Sequence, residues 1–138
     1  MNKFYIAYTD GSVTPQNPGH GLAAAIIKSP DGKIIDKITL NLGICTSNEA
    51  EYSAIELAVT YAYNNGIKNL RVISDSMLCV NQINNKWKIN HERLKNYKND
   101  IDIKKKYFDK ITFEWVSRDF NVEADKLSKD YIKTLYEK

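Results

Sequence analysis

The helix that begins near residue 48 has to bury a carboxylate, and no other feature constrains the chain as tightly. Residues 46–48, Thr-Ser-Asn, are all helix N-cap types. Glu49 and Glu51 then put acids in the first turn, where the helix dipole favours them. At helical spacing Glu51, Ile55, Ala58 and Ala62 form one stripe, and Glu49, Ser53, Glu56 and Thr60 form an opposite, polar one. The polar stripe is expected to face outward and to leave Glu49 with no task beyond the first turn. Glu51 stands at the N-terminal end of the face that packs. An isolated buried carboxylate is too costly to persist, so a partner, a proton or a cation must share its site.

The remaining pattern supplies an α/β frame. Residues 3–9 are rich in aromatic and branched side chains and predict a strand, ended by the break signal Asp10-Gly11-Ser12. Residues 13–20 hold Pro15, Pro18 and Gly19 and predict a loop. Residues 21–28 are apolar and fit either a strand or a helix. The turn sequence Ser29-Pro30-Asp31-Gly32 and the alternation over residues 33–42 make this a hairpin of two strands. The helix over residues 48–64 stops at Asn65-Gly66. A strand follows at 70–74, helices at 76–85 and 92–107, and a strand at 111–116. Asn121 is a plausible cap for a last helix that buries Ala124, Leu127, Tyr131 and Leu135. The order β-β-β-α-β-α-α-β-α predicts one domain over residues 1–138, with a five-stranded mixed sheet flanked by helices.

Composition narrows the function classes. The chain has 138 residues, 43% of them hydrophobic and 27% charged, enough for a real core. It has no apolar run long enough to span a bilayer and no signal-peptide pattern at residues 1–4, so the cytoplasm is the expected compartment and no membrane partner is expected. Cys45 and Cys79 form no CxxC pair and no histidine stands at zinc spacing, so both read as reduced, structural thiols. His20 and His91 read as surface or loop residues. Residues 86–110 hold nine basic side chains against four acidic ones, a pattern that suits a polyanion surface or a solvated helix face.

Acids recur where elements end. Asp10 follows the first strand and Asp75 follows the strand at 70–74. If those strands are parallel neighbours, their ends lie roughly 5 Å apart at one sheet edge, where ligands bind in open α/β sheets. Glu51 could reach the same point from its helix, and Asp125, in the first turn of the last helix, could form a fourth corner. Singly, each acid has a structural reading: a turn residue, a cap, a dipole partner, or half of a lysine pair. Together they would repel one another unless a divalent cation such as Mg²⁺ or Mn²⁺ offsets their charge.

Four segments in order resemble the type 1 ribonuclease H family: Tyr8-Thr9-Asp10-Gly11-Ser12, residues 46–52, Ser74-Asp75-Ser76-Met77, and residues 121–128. The resemblance spans nearly the whole chain. It implies an endonuclease that hydrolyses the RNA strand of RNA–DNA hybrids and leaves 5′-phosphate and 3′-hydroxyl ends. It implies that Asp10, Glu51, Asp75 and Asp125 hold two Mg²⁺ ions, with Mn²⁺ as a substitute. It implies that Gly11, Ser12, Ser47, Asn48 and Met77 line the minor groove of the hybrid, and that Thr46 touches a DNA phosphate. Shape and the 2′-hydroxyl are what distinguish RNA from DNA in such duplexes. Double-stranded RNA stays open as a second substrate, and a monomer is the default state.

Two departures place the chain with a shorter branch of that family. The loop before the last helix is Ser117-Arg118-Asp119-Phe120, without the family's histidine. Arg118 is the candidate there for contact with the scissile phosphate or for product release. A guanidinium stays protonated and is a poor general base. The family's long basic protrusion is also missing: residues 87–98 join the helices briefly, and Trp87 reads as a packing residue. No separate N-terminal hybrid-binding domain is expected. Exonucleases of related fold begin with Asp-x-Glu, and integrases place their glutamate after the second aspartate; this chain does neither. The alternative from another class is a non-catalytic module that binds hybrids or double-stranded RNA.

Overall fold

A computed structural model describes the backbone of residues 3–136 and the side chains of residues 3–130. Strands β1 (Tyr5–Thr14), β2 (Gly19–Lys28) and β3 (Ile34–Cys45) lead into α1 (Ser47–Asn64). Then come β4 (Asn69–Ser74), α2 (Met77–Ile83), α3 (Glu92–Lys105), β5 (Lys110–Trp115) and α4 (Val122–Tyr136), with one 3₁₀ turn at Arg118–Phe120. The sheet order is β3-β2-β1-β4-β5. β1 pairs antiparallel with β2 and parallel with β4, and β4 pairs parallel with β5. The expected five-stranded mixed sheet flanked by helices is the fold observed.

The apolar run of β2 has a clear cause. Residues 21–27 are all buried because helices cover both sheet faces, and a strand buried on both faces loses its polar alternation. One face carries α1 to α3. Ala7, Ala25, Ile27, Ile55, Val72 and Phe113 pack there in one cluster around the fully buried Tyr52. Tyr52 donates its hydroxyl proton to Gln82 Oε1 at 2.7 Å, and Gln82 donates to the Lys88 carbonyl at 3.0 Å, so neither buried group is left unpaired. The other face carries α4, whose Ala124 and Ser128 are both fully buried. Leu127 is only half-buried, and the expected burial of Tyr131 and Leu135 lies outside the described side chains.

Two boundaries differ from expectation. β1 does not end before Asp10-Gly11-Ser12. It runs on to Thr14, because Asp10, Gly11 and Ser12 pair with Ala24, Ala23 and Leu22 of β2. The expected loop shrinks to residues 15–18. β3 likewise extends past Leu42 to Cys45, with Gly43 at φ +69 beside a register shift.

The polar stripe of α1 does not face solvent, because α3 packs across it. Glu49 is 6% exposed and Ser53 2%. Glu49 closes a reciprocal capping box: it accepts from the Thr46 N–H at 3.0 Å, and Thr46 Oγ1 accepts from the Glu49 N–H at 3.1 Å. Its other oxygen meets Arg93 of α3 at 3.6 Å. The reading of Glu49 as an outward acid is therefore corrected: it joins α1 to α3.

Candidate metal centre and cleft

Strand register brings the first two acids together. Thr9 of β1 lies beside Ser74 of β4, so Asp10 and Asp75 are the next residues along two parallel neighbours. β4 ends there while β1 continues. Side chains alternate along β1. Asp10 and Ser12 point toward α4, where both meet Ser128, while Gly11 turns toward α1. Gly11 is required at this contact. A Cβ on it would stand 2.2 Å from the Ala50 carbonyl carbon and 2.4 Å from the Glu51 nitrogen, so only glycine lets the start of α1 come so close. That approach delivers Glu51, which accepts a short hydrogen bond from the Gly11 N–H. One carboxylate oxygen each of Asp10, Glu51 and Asp75 then lies within 4.8 Å of the others.

The electrostatics of this trio are unfavourable without a cation. Asp10 is 3% exposed, and burial first, then the charges of Asp75 and Asp125, lift its carboxyl to about 7. A hydrogen bond from Ser128 works against that rise. Glu51 is pushed well above the ordinary carboxylate range by burial, then by Asp10 and Asp75. Among the described residues no ion pair reaches Asp10 or Glu51. Asp75, whose side chain is 3% exposed, meets Arg118 Nε at 3.8 Å.

Asp125 stands beside the trio rather than within it. It lies in the first turn of α4, close enough to raise the Asp10 carboxyl, but its own carboxylate is paired with Lys129 at 3.2 Å. A cleft of about 620 Å³ opens over the group and is lined by Asp10, Gly11, Ser12, Ser47, Arg118, Asp125 and Lys129, among others. Of the four acids, Asp10 and Asp125 line it, and Arg118 and Lys129 give it a basic rim.

The other predicted residues divide. Ser47 lines the cleft and is tied to Asn17 through its N–H at 3.0 Å and its hydroxyl at 2.9 Å. Thr46 is the N-cap of α1, with Asn48 exposed near it and Met77 exposed at the start of α2. Trp87 is not a packed residue: it is 46% exposed beside Lys86, Lys88, Lys95 and Lys98. Several lysines of α3 are neutralised within the helix, as in Lys98–Asp102 and Lys104–Asp100, both 2.7 Å. That favours the solvated-face reading for much of the basic run.

Two residues beside the acids have contacts that local pattern does not show, and the expected capping of α4 by the Asn121 side chain is corrected. Ser128 donates to Asp10 at 2.6 Å. Asn121 uses its side chain on the Thr9 carbonyl at 2.7 Å instead of capping α4; only its backbone carbonyl starts that helix, accepting from the Asp125 N–H. Helical spacing from Asp125 would have flagged Ser128, one turn on, as a neighbour on the same face.

Known proteins share this fold. A family model described as reverse transcriptase-like matches residues 8–131. The chain belongs to that family. A bifunctional protein of Mycobacterium tuberculosis, Rv2228c, is 30% identical over 115 residues, covering 83% of this chain and 32% of that protein. The chain thus spans about a third of the length of the first curated relatives it matches. The RNase H1 of the halophilic archaeon Halobacterium salinarum superposes with a TM-score of 0.89 at 28% identity, over 94% of this chain and 98% of that one. LC11-RNase H1, solved with an RNA/DNA hybrid, superposes with a TM-score of 0.83 at 27% identity, over 91% and 94%. The fold of this reverse transcriptase-like domain is that of ribonuclease H.

Proposed function

We propose that this domain hydrolyses the RNA strand of RNA–DNA hybrids at the acidic floor of its cleft, giving 5′-phosphate and 3′-hydroxyl products. The observation that carries the reading is the trio of carboxylates, one oxygen of each within 4.8 Å of the others, with no cation among the described residues paired to Asp10 or Glu51. Pure binding of a polyanion has no use for such a floor, which repels phosphate. Hard oxygen donors this close fit Mg²⁺, with Mn²⁺ as a substitute. Asp10, Glu51 and Asp75 would hold the ions, and Asp125 would join them once freed from Lys129. The chemistry that two such ions supply when bound is activation of a water and stabilisation of the departing 3′ oxygen.

The chain's own groups do the rest. Arg118 and Lys129 on the rim attract the phosphodiester backbone and hold it over the floor. Arg118, 69% exposed and only loosely paired with Asp75, is free to swing onto a phosphate oxygen. Its guanidinium serves as a charge, not as a base. Ser12 and Ser47, on the cleft wall, and Gly11 beside them offer polar groups to the sugar edge of the minor groove, with Asn48 and Met77 at the exposed starts of α1 and α2. Thr46 stands where a DNA phosphate would meet the first turn of α1. Residues 1–138 act as a single domain in this scheme, as a monomer in the cytoplasm. Double-stranded RNA is a substrate to include in the test.

The test is cleavage of an end-labelled RNA–DNA hybrid with Mg²⁺, Mn²⁺ or EDTA, beside double-stranded RNA and DNA. Metal-dependent internal cuts in the RNA strand of the hybrid are expected. Hybrid binding without cutting under any metal would refute the enzyme and leave a binding module.

A further inference from the structure

We infer that Ser128 is a positioning residue for Asp10, its hydroxyl fixing one carboxylate oxygen and joining it to Ser12 and to the start of α4. The inference rests on reading Asp10 as a metal ligand. Ser128 is fully buried. Its Oγ lies 2.6 Å from Asp10 Oδ2, 2.8 Å from Ser12 Oγ and 2.9 Å from the carbonyl oxygen of Asp125.

A hydroxyl has one proton and two lone pairs, so these three contacts impose an order. The shortest has the length of a charge-assisted O–H···O⁻ bond, and the proton therefore points mainly at Asp10. The Asp125 carbonyl, three residues back on the same helix, is the local acceptor that a helical serine ordinarily uses. Here it takes the weaker share. Ser12 then donates to Ser128, and its own 3.5 Å approach to Asp10 Oδ2 is too long to compete. The proton order is Ser12 to Ser128 to Asp10.

This chain of hydroxyls couples two elements at one atom. Asp10 belongs to β1, Ser128 to α4, and the Asp125 carbonyl to the α4 turn that carries the fourth acid. The Asp10 carboxylate cannot rotate without breaking its bond to Ser128. One Asp10 carboxylate oxygen lies within 4.8 Å of one each from Glu51 and Asp75. Packing alone does not call for the hydroxyl, since alanine is as small and a better helix former. What alanine lacks is the donor. Partners that orient a metal-binding side chain in this way typically contribute about 10-fold to 100-fold in metal affinity.

Calorimetric titration of Mg²⁺ into the protein without nucleic acid reads this contribution, with thermal unfolding in EDTA as the folding control. The S128A variant is expected to stay folded but melt somewhat below the wild type for want of this bond, to bind Mg²⁺ about 10-fold more weakly, and to need correspondingly more Mg²⁺ for half-maximal hybrid cleavage. The S128C variant fills the same space with a poor donor and is expected to follow S128A. Equal Mg²⁺ affinity in S128A and wild type would overturn the role of Ser128 and leave the proposed function standing. Restoration of wild-type affinity by S128C would also overturn it, because filled volume would then be the cause. A wild-type protein that neither binds Mg²⁺ nor cuts a hybrid would overturn the functional reading, and this inference with it.

Discussion

Replacing Asp10 by asparagine is expected to stabilise the metal-free protein at pH 8 while abolishing hybrid cleavage. Asp10 is 3% exposed, and its carboxyl rises from 3.8 to about 7 through burial and then through Asp75 and Asp125. Its folded pKa lies above its unfolded one, so the folded chain binds the proton more tightly. Stability therefore falls as pH climbs from about 4 toward 7 and levels off above that. Three pKa units at about 1.4 kcal/mol each give a penalty of about 4 kcal/mol at pH 8. Asparagine carries no such penalty, but it gives up the charge-assisted bond from Ser128, a loss of about 1 to 2 kcal/mol. The net gain of about 2 to 3 kcal/mol corresponds to a melting temperature roughly 5 to 10 °C higher for a chain of this size. Thermal unfolding of both proteins in EDTA at pH 5 and pH 8 measures it, and the gap is expected to narrow at pH 5. Saturating Mg²⁺ then offsets the advantage, because ligand at 100 times its dissociation constant adds about 2.7 kcal/mol to the wild type alone. A D10N variant less stable than wild type in EDTA at pH 8, or a gap that ignores pH, would refute the claim that burial and the neighbouring acids penalise the Asp10 carboxylate.

Two further outcomes probe the frame around the site. Gly11→Ala sets a Cβ 2.2 Å from the Ala50 carbonyl carbon and 2.3 Å from its oxygen, and backbone cannot swing aside. It is expected to cost about 1 to 3 kcal/mol in thermal unfolding and to remove hybrid cleavage by displacing Glu51; a folded variant with normal turnover would show that the close approach is dispensable. Glu56, on the face of α1 covered by α3, is lifted to about 7 by burial and by Asp100, so it withdraws stability as pH rises from about 4.5 toward 7. Glu56→Gln is expected to flatten the melting temperature over that window, and an unchanged slope would contradict the assignment.

Much of the frame was legible from local signals. The run of N-cap types before Glu49 and the Asn65-Gly66 stop fixed α1 nearly to the residue, because caps act over one turn. Asp75 directly after a short apolar strand and Glu51 at the head of the apolar stripe were readable for the same reason. Local signals misread β1. Asp10-Gly11-Ser12 looks like a break in isolation, yet it is strand because β2 pairs with it. On α1, Glu51 is half-buried against β1 while Glu49, expected to face outward, is buried under α3, since periodicity assigns faces without saying how many of them are covered.

What the sequence determined by itself was the set of elements, their order, and the inventory of acids set near their ends. What only the tertiary structure decided was which groups share a proton or a charge. Asp10, Glu51 and Asp75 meet because two parallel strands run in register, one ending where the other continues, and a glycine lets a helix touch one of them. Asp125 is held aside by Lys129, and Ser128, 118 residues from Asp10, grips its carboxylate. The reason is one of range: propensity, capping and periodicity are encoded within a few residues, whereas burial, Coulomb repulsion and hydrogen bonding between carboxylates depend on distances that exist only after the sheet has formed.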